Sequence, residues 1–267
     1  MKKALRRIFV RTKIVIFADI KYKDVLGNWL QFFPPKLMRY LEIVALDDSL
    51  FDDLQQSKGS LSPLISIKKM KWTGNIDDLW IARVKYIREQ VKNGFSVVHS
   101  DIDAIWLDNI MPDISDRNYD MVFSQGTIWP LDFYKSHGFV ACCGLFFIRS
   151  TSVTEKFMND WVHLVEKDGD DQRSLNHLLN RRGVDLSNSV HDYVLDYNGN
   201  TILCFNESVS SSLIDGLRFA LLPHKDYQRL PEAMRPSKIF HPLSEKNGSH
   251  ISEVLCRYNL WKEGKIL

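Results

Sequence analysis

Asp101 and Asp103 are the side chains whose types and spacing best fit a chemical role in this sequence. They follow an apolar segment, residues 94–100, that reads as a short buried strand. In an extended chain, side chains two positions apart share a face, so both carboxylates could converge on one hard cation. Such a cation also takes phosphate oxygens, which fits a metal-bound nucleoside diphosphate. The alternative is a turn with two solvated carboxylates, because Asp-x-Asp is common by chance.

Three other places carry residues that could take part in chemistry. Arg83 and Lys85 lie on a predicted helix before the aspartate strand, so each either reaches a diphosphate or is a surface charge. Gly144, within the apolar residues 138–149, leaves room for a ligand to approach the backbone, although buried-strand packing explains these residues equally well. His241 follows a short apolar run, and a lone histidine is more often structural than a ligand.

The elements that must position these residues alternate between strands and helices over the first half of the chain. Strands are predicted over 13–18, 41–46, 64–67 and up to Asp101, and helices over 22–33, around 52–56, and from Asn75 to Gly94. This alternation predicts an α/β fold with a mostly parallel, doubly wound sheet flanked by helices. Ligands of such sheets bind beyond the carboxyl ends of the strands, where both aspartates fall.

The second half of the chain adds further strands and helices, and it contains no repeat or linker. Strands are expected over 119–124 and 138–149, with short ones near 202–205 and 217–222. A capping box over 152–155 predicts one helix, and Asp170-Asp171-Gln172 begins another that ends at Gly183. We therefore expect one single domain.

The composition excludes some partners and indicates a compartment. The chain has 267 residues, 45% of them hydrophobic, and a net charge of +2, which is too mild to predict nucleic-acid binding. No apolar run approaches the roughly 18 residues of a membrane span, and the start is too interrupted for a signal peptide. The four cysteines lack zinc or disulfide spacing, and the adjacent Cys142 and Cys143 are expected to be buried packing residues. A cytoplasmic protein is the simplest expectation.

Basic residues are concentrated at the beginning of the chain, in an arm over residues 1–12 that leads into the first strand. They are Lys2, Lys3, Arg6, Arg7, Arg11 and, at the strand itself, Lys13. They either form a solvated arm or make peripheral contact with an anionic membrane, each charge near the surface contributing about 1 kcal/mol.

The order and spacing of several short motifs form a larger pattern. They are 17–19, 28–30, 44–47, Lys85, 100–107, 144–151, Trp161, Asp171-Gln172 with Asn176, 217–223, His241 and 260–261. In this order the chain resembles the nucleotide-diphospho-sugar transferases of glycosyltransferase family 77, which have the GT-A fold. The resemblance covers nearly the whole chain. It implies one GT-A-type domain, with a nucleotide-binding half over 13–107 and a sugar- and acceptor-binding half over 108–267.

The resemblance also implies roles for individual residues. Asp101 and Asp103 would bind Mn²⁺, with Mg²⁺ as the alternative, and His241 would complete the metal site. Asp171 and Gln172 would be the catalytic residues that face the donor sugar and the acceptor. The residues expected to contact the nucleotide sugar are Ala18, Asp19, Arg83, Lys85, Ser100, Asp101 and Gly144.

The implied activity is transfer of a sugar from a nucleotide sugar, expected to be a UDP-sugar, to a glycan, glycolipid or protein acceptor with retention of configuration. The metal would act as a Lewis acid on the leaving diphosphate. The departing phosphate would accept the acceptor's proton, and Asp171 would stabilise the oxocarbenium-like centre. Two positions depart from the family pattern. Lys246 precedes Gly248, whereas the family often has a lysine after this glycine, and Cys142-Cys143 replaces a small polar position.

Two other functional classes remain open from the sequence. A metal-dependent phosphohydrolase also begins its site with Asp-x-Asp at a strand end, but it wants these carboxylates on the first strand. A non-catalytic module that binds nucleotide sugars would need the same residues without turnover.

Overall fold

The structure is a computed structural model that describes residues 11–59, 61–116, 118–187, 193–197, 200–204, 208–229, 238–243 and 247–262, without the side chains of 58 and 193–204. The helices are α1 (Lys23–Phe32), α2 (Asp48–Gln56), α3 (Ile76–Lys92), α4 (Met111–Ile114), α5 (Leu131–His137), α6 (Ser152–Asp168), α7 (Asp171–Arg181) and α8 (Gly248–Arg257). The strands are β1 (Thr12–Ala18), β2 (Leu41–Ala45), β3 (Ser66–Lys69), β4 (Ser96–Ser100), β5 (Ile105–Trp106), β6 (Met121–Gln125), β7 (Ala141–Ile148), β8 (Tyr193–Tyr197), β9 (Asn200–Cys204), β10 (Ser210–Ile214), β11 (Leu217–Leu221), β12 (Tyr227–Gln228) and β13 (Ile239–Phe240). Short 3₁₀ helices cover Ile20–Tyr22, Pro35–Tyr40 and Ser57–Gly59.

Eight strands form the main sheet in the order β10-β11-β6-β7-β4-β1-β2-β3. The half from β4 to β3 is parallel throughout. Beyond it, β7 runs antiparallel to both β4 and β6, and β11 is parallel to β6. The predicted α/β class, a doubly wound sheet flanked by helices, is confirmed. The strand order reverses around β1 and β4, so their carboxyl ends open a binding crevice between them.

Hydrophobic residues pack on both faces of this sheet and hold the ends of β1 and β4 in place. On one face, the ring of Trp29 from α1 stacks on Phe33 and meets Trp106 of β5 edge-on. On the other face, Phe146 of β7 packs against Trp161 of α6. All five of these side chains are buried, so the edge of the sheet that carries the aspartates lies on a rigid support.

Two local predictions need correction. The third strand is Ser66–Lys69, so it begins two residues later than expected. The capping box of α6 begins at Thr151 and not at Ser152: Thr151 Oγ1 accepts from the backbone N–H of Thr154 at 3.2 Å, and Thr154 Oγ1 accepts from that of Thr151 at 3.0 Å. A threonine at the third helical position can take the place of the usual glutamate, because its hydroxyl also accepts a hydrogen bond.

A second, three-stranded sheet joins distant parts of the chain in the order β12-β13-β5. Strand β13 pairs antiparallel with β5, so that Phe240 lies opposite Ile105. An ion pair strengthens this pairing, since Lys238 Nζ lies 2.6 Å from Asp113 Oδ2, which also accepts from the buried Tyr227 hydroxyl at 2.5 Å. The residues just after β13 are thereby fixed beside those just before β5.

The basic arm begins outside the described residues, which start at Arg11. The predicted contact of this arm with anionic lipid therefore stays a prediction. Lys13, the last of its basic residues, is already engaged within the domain: its Nζ lies 2.9 Å from Glu42 Oε2 and 2.8 Å from Gln90 Oε1. In the described part of the chain, no helix is both long and apolar enough to cross a membrane.

Candidate active site

Asp101 and Asp103 meet in a turn, not along an extended strand. Strand β4 ends at Ser100, and the backbone N–H of Ala104 donates to the Asp101 carbonyl at 3.1 Å. The predicted convergence of the two carboxylates is therefore found, but its geometric basis was wrong. The turn brings both side chains to one side beyond the carboxyl end of β4.

His241 reaches the two aspartates through the pairing of β5 with β13. Because the strands are antiparallel, the residue after Phe240 lies next to the residue before Ile105. As a result, Nε2 of His241 lies 3.2 Å from Oδ1 of Asp103 and 3.8 Å from Oδ2 of Asp101. The backbone N–H of His241 donates to the Gln228 carbonyl at 2.8 Å, which fixes the segment.

This arrangement fits a divalent cation. One ligand atom from each of Asp101, Asp103 and His241 lies within 4.8 Å of the other two, the only such group among the described residues. Gly144 faces the cluster, and a Cβ added there would lie 2.8 Å from Asp101 Oδ2 and 2.9 Å from His241 Nδ1. Only glycine leaves this space open, which supports the role predicted for Gly144.

Arg83 and His99 are two buried side chains that contact Asp101. The Nη1 atom of Arg83 donates to Asp101 Oδ1 at 2.8 Å and lies 3.2 Å from His99 Nε2. The other ring nitrogen of His99 faces the Val15 carbonyl at 3.0 Å, so Nδ1 carries the proton and Nε2 accepts. Burial is the main reason that the pKa of His99 is lowered, which keeps the ring neutral. Burial alone would raise the pKa of Asp101, but the charge of Arg83 outweighs it and holds this pKa well below its usual value.

The same guanidinium also holds Asp171 at the start of α7. The Nε of Arg83 donates to Asp171 Oδ2 at 2.8 Å, and Nη2 contacts the same oxygen. Asp170 is the N-cap, since its Oδ1 accepts from the Arg173 N–H at 2.8 Å, as the helix-start pattern predicts. Asp171, only 3% exposed, thus does not serve as the cap. Burial raises its pKa, and Arg83 opposes this effect. Within the described residues Oδ1 of Asp171 accepts no hydrogen bond, which leaves it available to a ligand.

Gln172 is held at both ends of its amide. Its Oε1 accepts from the Cys143 N–H at 3.2 Å, and its Nε2 donates to the Trp129 carbonyl at 2.7 Å. The indole N–H of Trp129 in turn donates to Asp170 Oδ2 at 3.0 Å. The start of α7 is therefore tied both to β7 and to the loop after β6.

Asp19 lies at the carboxyl end of β1, and its contact with the nucleotide stays a prediction. Its Oδ1 accepts from the Tyr22 N–H at 3.2 Å, and burial raises its pKa. The Tyr22 phenol is close to both Asp19 and Asp103, whose charges add to burial in raising the pKa of the tyrosine. The side chain of Ala18 is in the core, so Ala18 offers only its backbone to a ligand.

Two of the predicted nucleotide contacts have other partners. Ser100 is fully buried, and its hydroxyl accepts from the Trp106 indole N–H at 3.1 Å. Lys85 is on the opposite side of α3 from Arg83, where its 45% exposed side chain pairs with Glu166 of α6 at 2.7 Å. The structure therefore brings Arg83, but not Lys85, to the aspartates.

A sequence profile decides the family of the chain. The profile of nucleotide-diphospho-sugar transferases matches residues 36–225, which include the turn of Asp101 and Asp103 and the start of α7. The chain belongs to this family. Together with the main sheet, this membership confirms the resemblance and the GT-A-type fold that the sequence predicts. No curated protein matches the chain significantly in sequence.

Solved structures similar to this nucleotide-diphospho-sugar transferase are distant. The glycosyltransferase GlyE of Streptococcus pneumoniae TIGR4 is 17% identical, with a TM-score of 0.42, over 62% of this chain and 43% of its own. The galactosyltransferase LgtC in complex with donor and acceptor sugar analogues is 14% identical, with a TM-score of 0.43, over 63% and 69%. Mouse xyloside xylosyltransferase 1 is 9% identical, with a TM-score of 0.45, over 64% and 82%. This chain thus spans less than half of the pneumococcal protein, and at these identities the likeness concerns the fold alone.

In this transferase, Arg229 and Cys142 are site residues that the sequence did not reveal. Nη1 of Arg229 contacts Nδ1 of His241, and Nε has no partner. Burial would raise the pKa of Cys142, but Arg229 and His241 lower it to about 7. Both cysteines of the Cys142-Cys143 pair are buried and free, as expected. The sequence could have indicated His99, because it precedes Asp101 by two positions, and side chains two apart along a strand share a face. No sequence pattern could have indicated Arg229, since only tertiary packing brings it to His241.

Proposed function

We propose that this nucleotide-diphospho-sugar transferase is a metal-dependent glycosyltransferase that moves a sugar from a nucleoside-diphosphate sugar, with UDP as the nucleotide, to a glycan, glycolipid or protein acceptor. The observation that carries the proposal is the Asp101-Asp103-His241 cluster and its link through Arg83 to Asp171. A cation site and a buried carboxylate are thereby held together by one side chain. This is the arrangement that a donor needs if its diphosphate and its sugar are to be bound side by side.

Asp101, Asp103 and His241 are the residues that would hold the cation. Two carboxylates and one imidazole suit Mn²⁺ better than Mg²⁺, which prefers oxygen ligands alone and keeps several waters. When bound, such an ion supplies Lewis-acid neutralisation of the leaving diphosphate.

Arg229 would add a second positive charge for the diphosphate. Its guanidinium has no carboxylate partner among the described residues, and its Nη1 lies against the metal-ligand histidine. Arginine donors match phosphate oxygens in pairs, so this side chain could bind the leaving group as charge develops on it.

Asp171 would act on the sugar without acting as a base. Its Oδ2 is neutralised by Arg83, and its Oδ1 is open to stabilise positive charge on the sugar. In a front-face reaction that retains configuration no strong base is required, because the departing phosphate oxygen can accept the acceptor's proton as the acceptor oxygen bonds to the anomeric carbon. On this assignment, residues 13–107 bind the nucleotide and residues 108–267 bind the sugar and the acceptor. A cytoplasmic location, with the basic arm at an anionic membrane, completes the proposal.

The experiment is a donor screen. The protein is incubated with a panel of UDP-, GDP- and TDP-sugars with Mn²⁺, with Mg²⁺ or with a chelator, and free nucleoside diphosphate and inorganic phosphate are measured separately. We expect slow, metal-dependent release of nucleoside diphosphate from one donor and loss of that release in Asp103→Ala. Nucleotide binding without release would indicate a non-catalytic module, and release of inorganic phosphate would indicate a phosphohydrolase.

A further inference from the structure

Trp129 is an exposed aromatic residue beside the candidate catalytic residues. Its side chain is 51% exposed, whereas most other tryptophans of the described chain are buried or partly buried. It lies in the loop between β6 and α5, and Leu131, also exposed at 41%, follows two residues later. Trp129 and Leu131 thus expose apolar surface beside a polar site, where a bound ligand would cover it.

The position of Trp129 is fixed by the residues on either side of Asp171. Its indole N–H donates to Asp170 Oδ2 at 3.0 Å, and its carbonyl accepts from Gln172 Nε2 at 2.7 Å. Because the N–H is already bonded, the ring offers a ligand its π face and not a donor. A ring held in this way loses little conformational freedom when a ligand binds.

The order of contacts across the site indicates which ligand meets Trp129. From the metal cluster, Asp101 leads through Arg83 to Asp171, and the neighbours of Asp171 lead to Trp129. In the proposed function the diphosphate binds at the metal cluster, and in this series of contacts the indole follows Asp171. We infer that Trp129 is the platform on which the ring of an acceptor sugar stacks, an inference that rests on the proposed function.

The chemistry of a sugar ring fits this surface. The axial C–H bonds of a pyranose present a weakly positive, apolar face, and the π face of an indole is electronegative. Such stacking selects for a cyclic carbohydrate acceptor over water and over a flexible side-chain hydroxyl. Trp129 is then a residue of acceptor specificity and not of donor binding.

The first test uses three variants and the donor found by hydrolysis. Trp129→Phe keeps an aromatic face but loses the bond to Asp170, Trp129→Leu keeps only apolar bulk, and Leu213→Ala is a control at a remote exposed position. The acceptors are methyl and p-nitrophenyl glycosides of glucose, galactose, mannose, xylose and N-acetylglucosamine. We expect the ratio of transfer to hydrolysis to fall at least about tenfold in Trp129→Leu and less than about threefold in Trp129→Phe, as loss of one stacking contact predicts. An equal fall in both variants would mean that Trp129 only positions Asp170, and this would overturn the inference.

The second test does not depend on turnover. The chain has seven tryptophans, so the Trp129 indole N–H resonance is assigned by its disappearance in Trp129→Phe. With UDP and the diamagnetic Mg²⁺ present, we expect the glycosides to shift this resonance. If none of them does, while UDP still binds in a metal-dependent manner, the stacking role is wrong and the proposed function stands. If UDP itself does not bind, the proposed function fails instead.

Discussion

Asp101 and Asp171 belong to different elements, yet they share one buried guanidinium, that of Arg83. Asp101 follows β4 and Asp171 begins α7, so no local rule of sequence would pair them. The arginine neutralises part of the charge of both, and a cation at Asp101 would complete this balance. A cation bound at Asp101 would therefore be coupled through Arg83 to the position of the Asp171 carboxylate.

Arg83 and Lys85 make a matched pair for testing this coupling. Arg83→Lys keeps the charge but cannot reach both carboxylates, so we expect turnover in the hydrolysis assay to fall at least about tenfold. Lys85→Gln removes only a half-exposed pair with Glu166 and should leave nucleotide affinity within about twofold. Both variants are compared in both assays: donor hydrolysis measures turnover, and calorimetric titration with UDP and Mn²⁺ measures nucleotide affinity. Equal losses in the two variants would contradict the placement of Arg83.

Gly144 provides a test of the metal site that removes no ligand. The Cβ of Gly144→Ala would collide with the His241 ring and lie 2.8 Å from Asp101 Oδ2, so we expect Mn²⁺ affinity to fall at least about tenfold. Gly27→Ala is the control, because nothing lies within 4 Å of its Cβ and it is inside α1. This control should stabilise the fold by up to about 1 kcal/mol and leave Mn²⁺ affinity as it was. Unchanged Mn²⁺ affinity in Gly144→Ala would exclude His241 as a ligand in this geometry.

Substitutions of Asp171 and of its neighbour Asp170 distinguish a catalytic role from helix capping. Asp171→Asn should lower turnover in donor hydrolysis by at least about a hundredfold, the scale expected when one charge that stabilises the transition state is lost. Asp170→Asn keeps a capping oxygen, so its unfolding free energy should change by less than about 1 kcal/mol. Steady-state kinetics and urea unfolding measure the two effects. The catalytic assignment fails if hydrolysis by Asp171→Asn equals that of the wild type.

The lowered pKa of His224 predicts that the unfolding free energy depends on pH. Burial, with help from Arg229, lowers its pKa to about 4 from an ordinary value of 6.5. Between these values the unfolded chain binds a proton that the folded chain does not, so the unfolding free energy falls as the pH decreases through this window. The difference amounts to about 3 kcal/mol at most. Urea unfolding at pH 7 and pH 4 should show a smaller decrease in His224→Gln than in the wild type, and an equal decrease would contradict the prediction.

The sequence was sufficient to predict the elements up to β4 and the two aspartates. Apolar periodicity located β1, β4 and α3, and the Asp-x-Asp after β4 located the metal side of the site. It was not sufficient to choose between Arg83 and Lys85. Positions two apart point to opposite sides of a helix, so only one of them could face the site, but the face is decided by packing against β4 and α7.

The remaining site residues depend on tertiary contacts that no local pattern encodes. His241 was expected from a family resemblance, and the register between β5 and β13 is what delivers it. Arg229 and Trp129 are brought to the site by loops, whose conformations have no periodic signal. The turn at Asp101 was mistaken for an extended strand because both conformations can bring residues two apart to one side.

The β5–β13 pairing has a consequence for how the protein gains stability. The first two metal ligands and the third are distant in sequence, so a bound ion acts as a reversible cross-link that closes a long loop. It would stabilise the native state by mass action, by about 2.7 kcal/mol at a metal concentration a hundred times the dissociation constant. A chain that ended before β13 would lack this cross-link altogether. Metal binding would therefore also show that β13 and His241 have packed against the rest of the domain.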